Sequence, residues 1–180
     1  MAESVSEVTG CGMAEGDAVA VRLDARQFAQ SGAVLKGVAD FPVFGRLAEE
    51  CRSERGVEWS VAGSVDADGV CWLDLGVAAE VTVQCQRCLA DMSLSVDSTS
   101  RFRLVFAGET WGDEDIDDDS FEALEVDGPL DLAVLVEDEV LLSLPAVPLH
   151  ERCDLPDGAG RGELPAKPSP FAVLGQLKRN

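Results

Sequence analysis

From Val57 to Phe106 apolar and polar residues alternate, the period-two pattern of strands with one face buried. VEWSVAGSV places Val57, Trp59, Val61 and Val65 on one face, and CWLDLGV continues with Cys71, Leu73, Leu75 and Val77. EVTVQC adds Val81, Val83 and Cys85. Beyond the turn at 85–90, Met92, Leu94 and Val96 share a face, with Asp91, Ser93, Ser95 and Asp97 opposite. RFRLVF then turns Phe102, Leu104 and Phe106 inward and Arg101 and Arg103 outward. Asp68-Gly69 is a hairpin signal, because both residues tolerate the positive φ that tight turns need. The pattern predicts a meander of about four antiparallel strands.

The flanks read differently. Val19, Val21 and Leu23 alternate as a short strand, and FPVFGRLAEEC after the Pro42 break reads as a short helix with Phe44, Leu47 and Ala48 on one side. PLDLAVLVEDEVLLSLP is the strongest helical pattern. Leu132, Leu135, Val136 and Val140 form one stripe, Asp131 suits the N-cap or first turn, and Pro145 ends the helix. Glu137, Asp138 and Glu139 fall on the other side and read as a wet acidic face. GETWGDEDIDDDSFEALEVDG reads as a solvated acidic loop anchored by Trp111, Ile116, Phe121 and Leu124. The expected fold class is α+β: an antiparallel β-meander of about four to six strands covered by one main helix, with a flexible N-terminus and a short C-terminal helix. The expected organisation is a disordered extension over 1–16, a domain over 17–155, and a Pro/Gly linker with an amphipathic tail over 156–180. In that tail Phe171, Leu174 and Leu177 recur every third residue, followed by Lys178 and Arg179. Such a segment docks on its own domain or on a partner.

At 180 residues, 46% apolar and 27% charged, the chain can bury a core without disulfide staples. No apolar run is long enough for a membrane span, and the N-terminus lacks a basic start and an apolar stretch, so no signal peptide is expected. Six cysteines without an export signal point to a reducing cytoplasm. A net charge of −20 argues against coating nucleic acid through a global field. The charge is uneven: Leu104 through Glu151 holds 15 of the 34 acidic residues and no Lys or Arg. Such a surface attracts basic proteins, while Arg87, Arg101 and Arg103 offer a local basic face on one end of the sheet.

The chemistry-bearing motif is VTVQCQRCLADMSLSV, with Cys85 and Cys88 in C-x-x-C. A redox pair normally opens a helix, where the dipole lowers the thiol pKa; here strands flank it. Two thiolates on one turn can supply half of a tetrahedral zinc site, and His150 with Cys153, in H-x-x-C, can supply the rest. The metal candidates are therefore Cys85, Cys88, His150 and Cys153, with structural zinc as the cofactor. The plain alternative is a tight turn of reduced cysteines and a surface His.

QCQRCL at 84–89, VEDEVLLSLPAVPLHERC at 136–153 and PSPFAVLGQLKR at 168–179 together resemble the bacterial YceD family, the large ribosomal RNA subunit accumulation proteins. The acidic helix followed by L-P-x-x-P-x-H is the most specific part. The resemblance runs over about residues 17–180 and implies a ribosome-biogenesis role in synthesis, processing or stability of large-subunit (23S) ribosomal RNA; it implies no established enzyme activity, and a non-enzymatic factor is expected. Two mechanisms are open. The first is direct RNA contact through Arg87, Arg101 and Arg103. The second is a protein-interaction module in which Glu137, Asp138, Glu139, Phe171, Leu174 and Leu177 meet a basic ribosomal protein or the processing machinery. No catalytic constellation is read: carboxylates are abundant, but none is set beside a positioned base or nucleophile.

Overall fold

The structure, a computed structural model, describes residues 19, 21–109 and 120–154. The expected N-terminal extension, the linker and the C-terminal tail lie outside the described residues. The elements run β1 (Arg22–Leu23), α1 (Ala25–Ser31), β2 (Val34–Ala39), a 3₁₀ turn (Phe41–Val43), α2 (Gly45–Glu50), β3 (Val57–Val65), β4 (Cys71–Gln84), β5 (Asp91–Phe106), β6 (Glu122–Val126), β7 (Leu130–Asp131) and α3 (Leu132–Ser143). The fold is α+β, built on a mixed five-stranded sheet in the order β2-β3-β4-β5-β6.

Strands β2 to β5 pair antiparallel with their chain neighbours, whereas β6 lies parallel to β5. Register explains the burial. Trp59 pairs with Val77 and Val61 with Leu75, Leu73 pairs with Phe102, and Ala79 pairs with Val96, so one face carries the apolar rows. The β3–β4 turn is closed by Asp66, whose carboxylate accepts the Asp68 and Val70 amides and the Trp72 indole N–H. Gly69 there takes φ 84°, which only glycine adopts without strain.

Among the described residues, two helices cover the inner face, where one main helix was expected. α3 packs on β4 and β5, and α1 packs on β3 and β4. α1 was not expected from the sequence. Asp24 caps it by accepting the Gln27 amide, and Gly32, at φ 61°, ends it. It lies so close to β3 that a Cβ on Gly63 would meet the Phe28 carbonyl oxygen at 2.7 Å. β1 and β7 form a separate two-stranded pair, and with Leu132 N–H donating to Val21 O at 3.1 Å they anchor the start of α3.

Several expectations change. The short helix after Pro42 is split: Phe41, Phe44 and Leu47 are buried and Ala48 is exposed. The stretch read as a solvated acidic loop contributes β6, and Phe121 stacks edge-on against Trp72 with ring centroids 5.1 Å apart; Trp111 and Ile116 lie outside the described residues. α3 forms as its pattern predicts, with Asp131 accepting the Ala133 and Val134 amides and Leu144, before Pro145, extended.

The acidic side of α3 is the largest correction. Glu137 and Glu139 are each only 7% exposed. Glu137 accepts the Arg46 and Leu47 amides on Oε1 and the Arg46 guanidinium on Oε2. Glu139 turns toward the sheet, where Ser98 and Ser100 hydroxyls donate to its Oε1 at 2.6 and 2.7 Å. Asp138 is partly exposed and pairs with Arg46 at 2.6 Å. The three residues do not form a wet acidic face, because two of them are interior polar ties.

Candidate metal centre

The long β4–β5 hairpin ends in a tight turn. Leu89 N–H donates to Cys85 O, and Cys85 N–H donates to Ala90 O, both at 2.9 Å. Leu89 has φ 61°, the only non-glycine at positive φ among the described residues. The turn thereby points the Cys85 and Cys88 side chains to one side. After α3 the chain crosses this tip. Gln86 N–H donates to Pro148 O at 2.9 Å, and His150 N–H donates to Cys85 Sγ at 3.4 Å.

Cys85, Cys88, His150 and Cys153 thereby meet, although 62 positions separate Cys88 from His150. One ligand atom from each lies within 4.8 Å of all the others. Cys85 Sγ and Cys153 Sγ are 3.8 Å apart, and Cys88 Sγ is 3.3 Å from His150 Nδ1. A tetrahedron with zinc–sulfur arms of about 2.3 Å and a zinc–nitrogen arm of about 2.0 Å has S–S and S–N edges of about 3.8 and 3.5 Å. The donor set and spacing fit a closed Cys₃His structural site, and soft thiolates favour zinc over hard cations. The cluster is one that could hold a metal.

Electrostatics favour thiolate at Cys85. Burial alone would push this thiol up. The backbone N–H groups of Cys88, His150 and Arg87, with the Cys88 side chain, outweigh burial and bring it down to about 5. For Cys88 the Ala90 amide favours the thiolate, but burial and the neighbouring Cys85 and Cys153 sulfurs push the pKa up. The first charge is placed at Cys85, and a second charge at Cys88 is resisted.

Arg87 is part of this arrangement. Its Nε donates to Cys153 Sγ at 3.0 Å, and a terminal nitrogen donates to His150 O at 2.6 Å. Arg101 and Arg103 sit about ten residues along β5 from the hairpin tip, roughly 30 Å away at 3.3 Å per residue. Arg101 lies over the Trp72 ring, 4.5 Å from its centroid, and 3.7 Å from Asp74. Arg103 pairs in register with Trp72. The three arginines do not share one end of the sheet, so the basic face expected from the sequence is not assembled. Phe171, Leu174 and Leu177 lie outside the described residues.

Beside the hairpin tip is a groove of about 720 Å³ between α2, the hairpin and the end of α3. Val83, Leu94, Leu141 and Leu144 supply apolar lining, and Glu49 and Glu50 line it as well. No sequence signal marked it, because its walls come from four separate segments.

Residues 73–178, more than half of the chain, match the family described as large ribosomal RNA subunit accumulation protein YceD. The large ribosomal RNA subunit accumulation protein YceD of Haemophilus influenzae is 34% identical over 112 residues, covering 57% of this chain and 63% of the relative. The chain thus spans less than two thirds of that relative's length. No solved structure matches the chain.

Proposed function

The chain belongs to the YceD family of large ribosomal RNA subunit accumulation proteins, and we propose that it is a non-enzymatic cytoplasmic factor that supports accumulation of large-subunit ribosomal RNA through a protein partner. The observation that carries the partner half of this reading is the separation of Arg87 from Arg101 and Arg103. Arg87 is turned into the cysteine cluster, and Arg101 faces Asp74 and Trp72. A chain of net charge −20 also repels phosphate and attracts cations. The partner is a basic ribosomal protein or a biogenesis enzyme. The groove beside the hairpin tip, lined by apolar Val83, Leu94, Leu141 and Leu144 and by Glu49 and Glu50 against the single cation Arg46, suits a basic, partly apolar segment of it.

Cys85, Cys88, His150 and Cys153 hold one structural zinc in this reading. Bound zinc supplies a cross-link between the hairpin tip and the segment after α3. The residues around it do the remaining work: the Gln86–Pro148 bond sets the crossing, and α3 fixes one wall of the groove.

Deleting the gene in its own host and measuring the ratio of large- to small-subunit ribosomal RNA tests the role. The ratio falls, the intact gene restores it, and Cys85→Ser with Cys88→Ser restores it poorly. An unchanged ratio on deletion rejects the role. Crosslinking followed by sequencing and mass spectrometry on one sample tests the mode. Protein adducts support it, and efficient direct crosslinks to large-subunit RNA overturn it.

A further inference from the structure

We infer that Arg87 is the positioning residue of the cysteine–histidine cluster: its guanidinium balances the charge of the loaded site and ties the two ligand pairs together, so metal retention depends on it. This rests on the metal reading above. Arg87 lies inside the C-x-x-C turn, where a long cation would ordinarily extend into water. Instead it makes two directed hydrogen bonds, to Cys153 Sγ at 3.0 Å and to His150 O at 2.6 Å. Both acceptors belong to the opposite half of the cluster. One side chain lying between the first two ligands therefore holds both residues of the second pair, Cys153 by its sulfur and His150 by its main chain.

Charge gives the second argument. Three thiolates, a neutral imidazole and a divalent ion sum to one negative charge. Cys85 is fully buried and the other three ligands are partly buried, so that charge is poorly solvated. Arg87 brings the sum to zero. A planar fork can serve a sulfur and a carbonyl at once, which a lysine ammonium on a flexible stem does less well. Charge and geometry are thus separable. Arg87→Lys keeps the first, and Arg87→Met removes both.

The test uses the purified 180-residue chain with zinc, titrated against a chromophoric chelator. Arg87→Met should raise the zinc dissociation constant about 10–100-fold, the usual effect of losing an outer-shell partner, and Arg87→Lys should fall between it and the parent. Urea midpoints of the metal-free and zinc-loaded forms separate this role from a purely structural one. The inferred role predicts that Arg87→Met narrows the gap between the two forms. Equal loss in both forms with unchanged zinc affinity overturns it and leaves the metal site standing. A parent chain that takes up no zinc overturns the metal reading and this inference together.

Discussion

Glu137 of α3 caps α2: its Oε1 accepts the Leu47 amide at 3.0 Å and the Arg46 amide at 2.7 Å. The local N-cap residue, Phe44, has no side chain that can do this. A short helix with orphan N–H groups at its start is thus completed from another helix, and the Arg46 guanidinium closes the ring on Oε2. Glu137→Ala strands those amides and should cost about 2–3 kcal/mol, read as a lowered urea midpoint. A loss below about 0.5 kcal/mol, the scatter of ordinary surface changes, would show that the tie is decorative. Burial opposes ionisation of Glu137, but the Leu47 amide and Arg46 hold its carboxyl below the usual value. A folded pKa below the unfolded one means that this stabilisation is complete above the unfolded value of about 4.3. It is lost as pH falls through the folded value. Glu137→Ala should therefore be separated from the parent at neutral pH and converge with it in acid.

Glu139 and the two serines beneath it form a second interior polar unit. Removing only the hydroxyls, Ser98→Ala with Ser100→Ala, leaves a buried carboxylate without its donors and should cost about 2–3 kcal/mol. Adding Glu139→Leu to that pair should recover much of the loss, since replacing all partners by apolar groups can be nearly neutral. A triple variant less stable than the double variant contradicts this account.

The parts of the fold legible in the sequence are those where one residue type repeats on one face. Trp59, Leu73, Leu75 and Phe102 were readable as inward because their rows alternate cleanly. α1 is seven residues with only Ala25, Phe28 and Ala29 buried, too short to show a period, although Asp24 with Gln27 and the terminal Gly32 mark its ends. β6 was hidden by its composition, since Glu122 and Glu125 face solvent on an edge strand. Glu137 and Glu139 were misread because a carboxylate is usually wet, and their donors come from other elements. A signal existed for one of them: Ser98 and Ser100 interrupt an inward row that runs from Met92 to Leu104, and an interior serine pair asks for an acceptor. The cluster's chemistry was legible in C-x-x-C and H-x-x-C. Arg87 was not, because charge alone does not say which way a side chain turns.

Gly63 sets the distance between α1 and the sheet. A Cβ there would lie 2.7 Å from Phe28 O and 2.8 Å from Ala29 Cα, both backbone atoms that cannot rotate aside. Gly63→Ala should therefore push α1 outward and cost about 1–3 kcal/mol, the range for overpacking. Unchanged stability, with unchanged burial of Phe28 by hydrogen exchange or tryptic protection, would mean that α1 does not seat as closely as described.

The metal-free cluster should make stability depend on pH. Burial opposes the Cys85 thiolate, but the amides of Cys88, His150 and Arg87 bring its pKa down to about 5 in the folded chain. In the unfolded chain a cysteine titrates near about 8.5. A depressed folded pKa means that the unfolded state binds more protons between those values, so stability rises with pH across that window. The contribution is complete above the unfolded pKa and disappears as pH falls through the folded one. Urea midpoints of the chelated parent should climb from pH 5 to pH 8.5, and Cys85→Ser should flatten the climb. Zinc should add its own dependence in the same sense, since Cys88 is pushed up and must release its proton to bind. If Cys85→Ser leaves the slope of the chelated protein unchanged, its sulfur is not the site of the first charge.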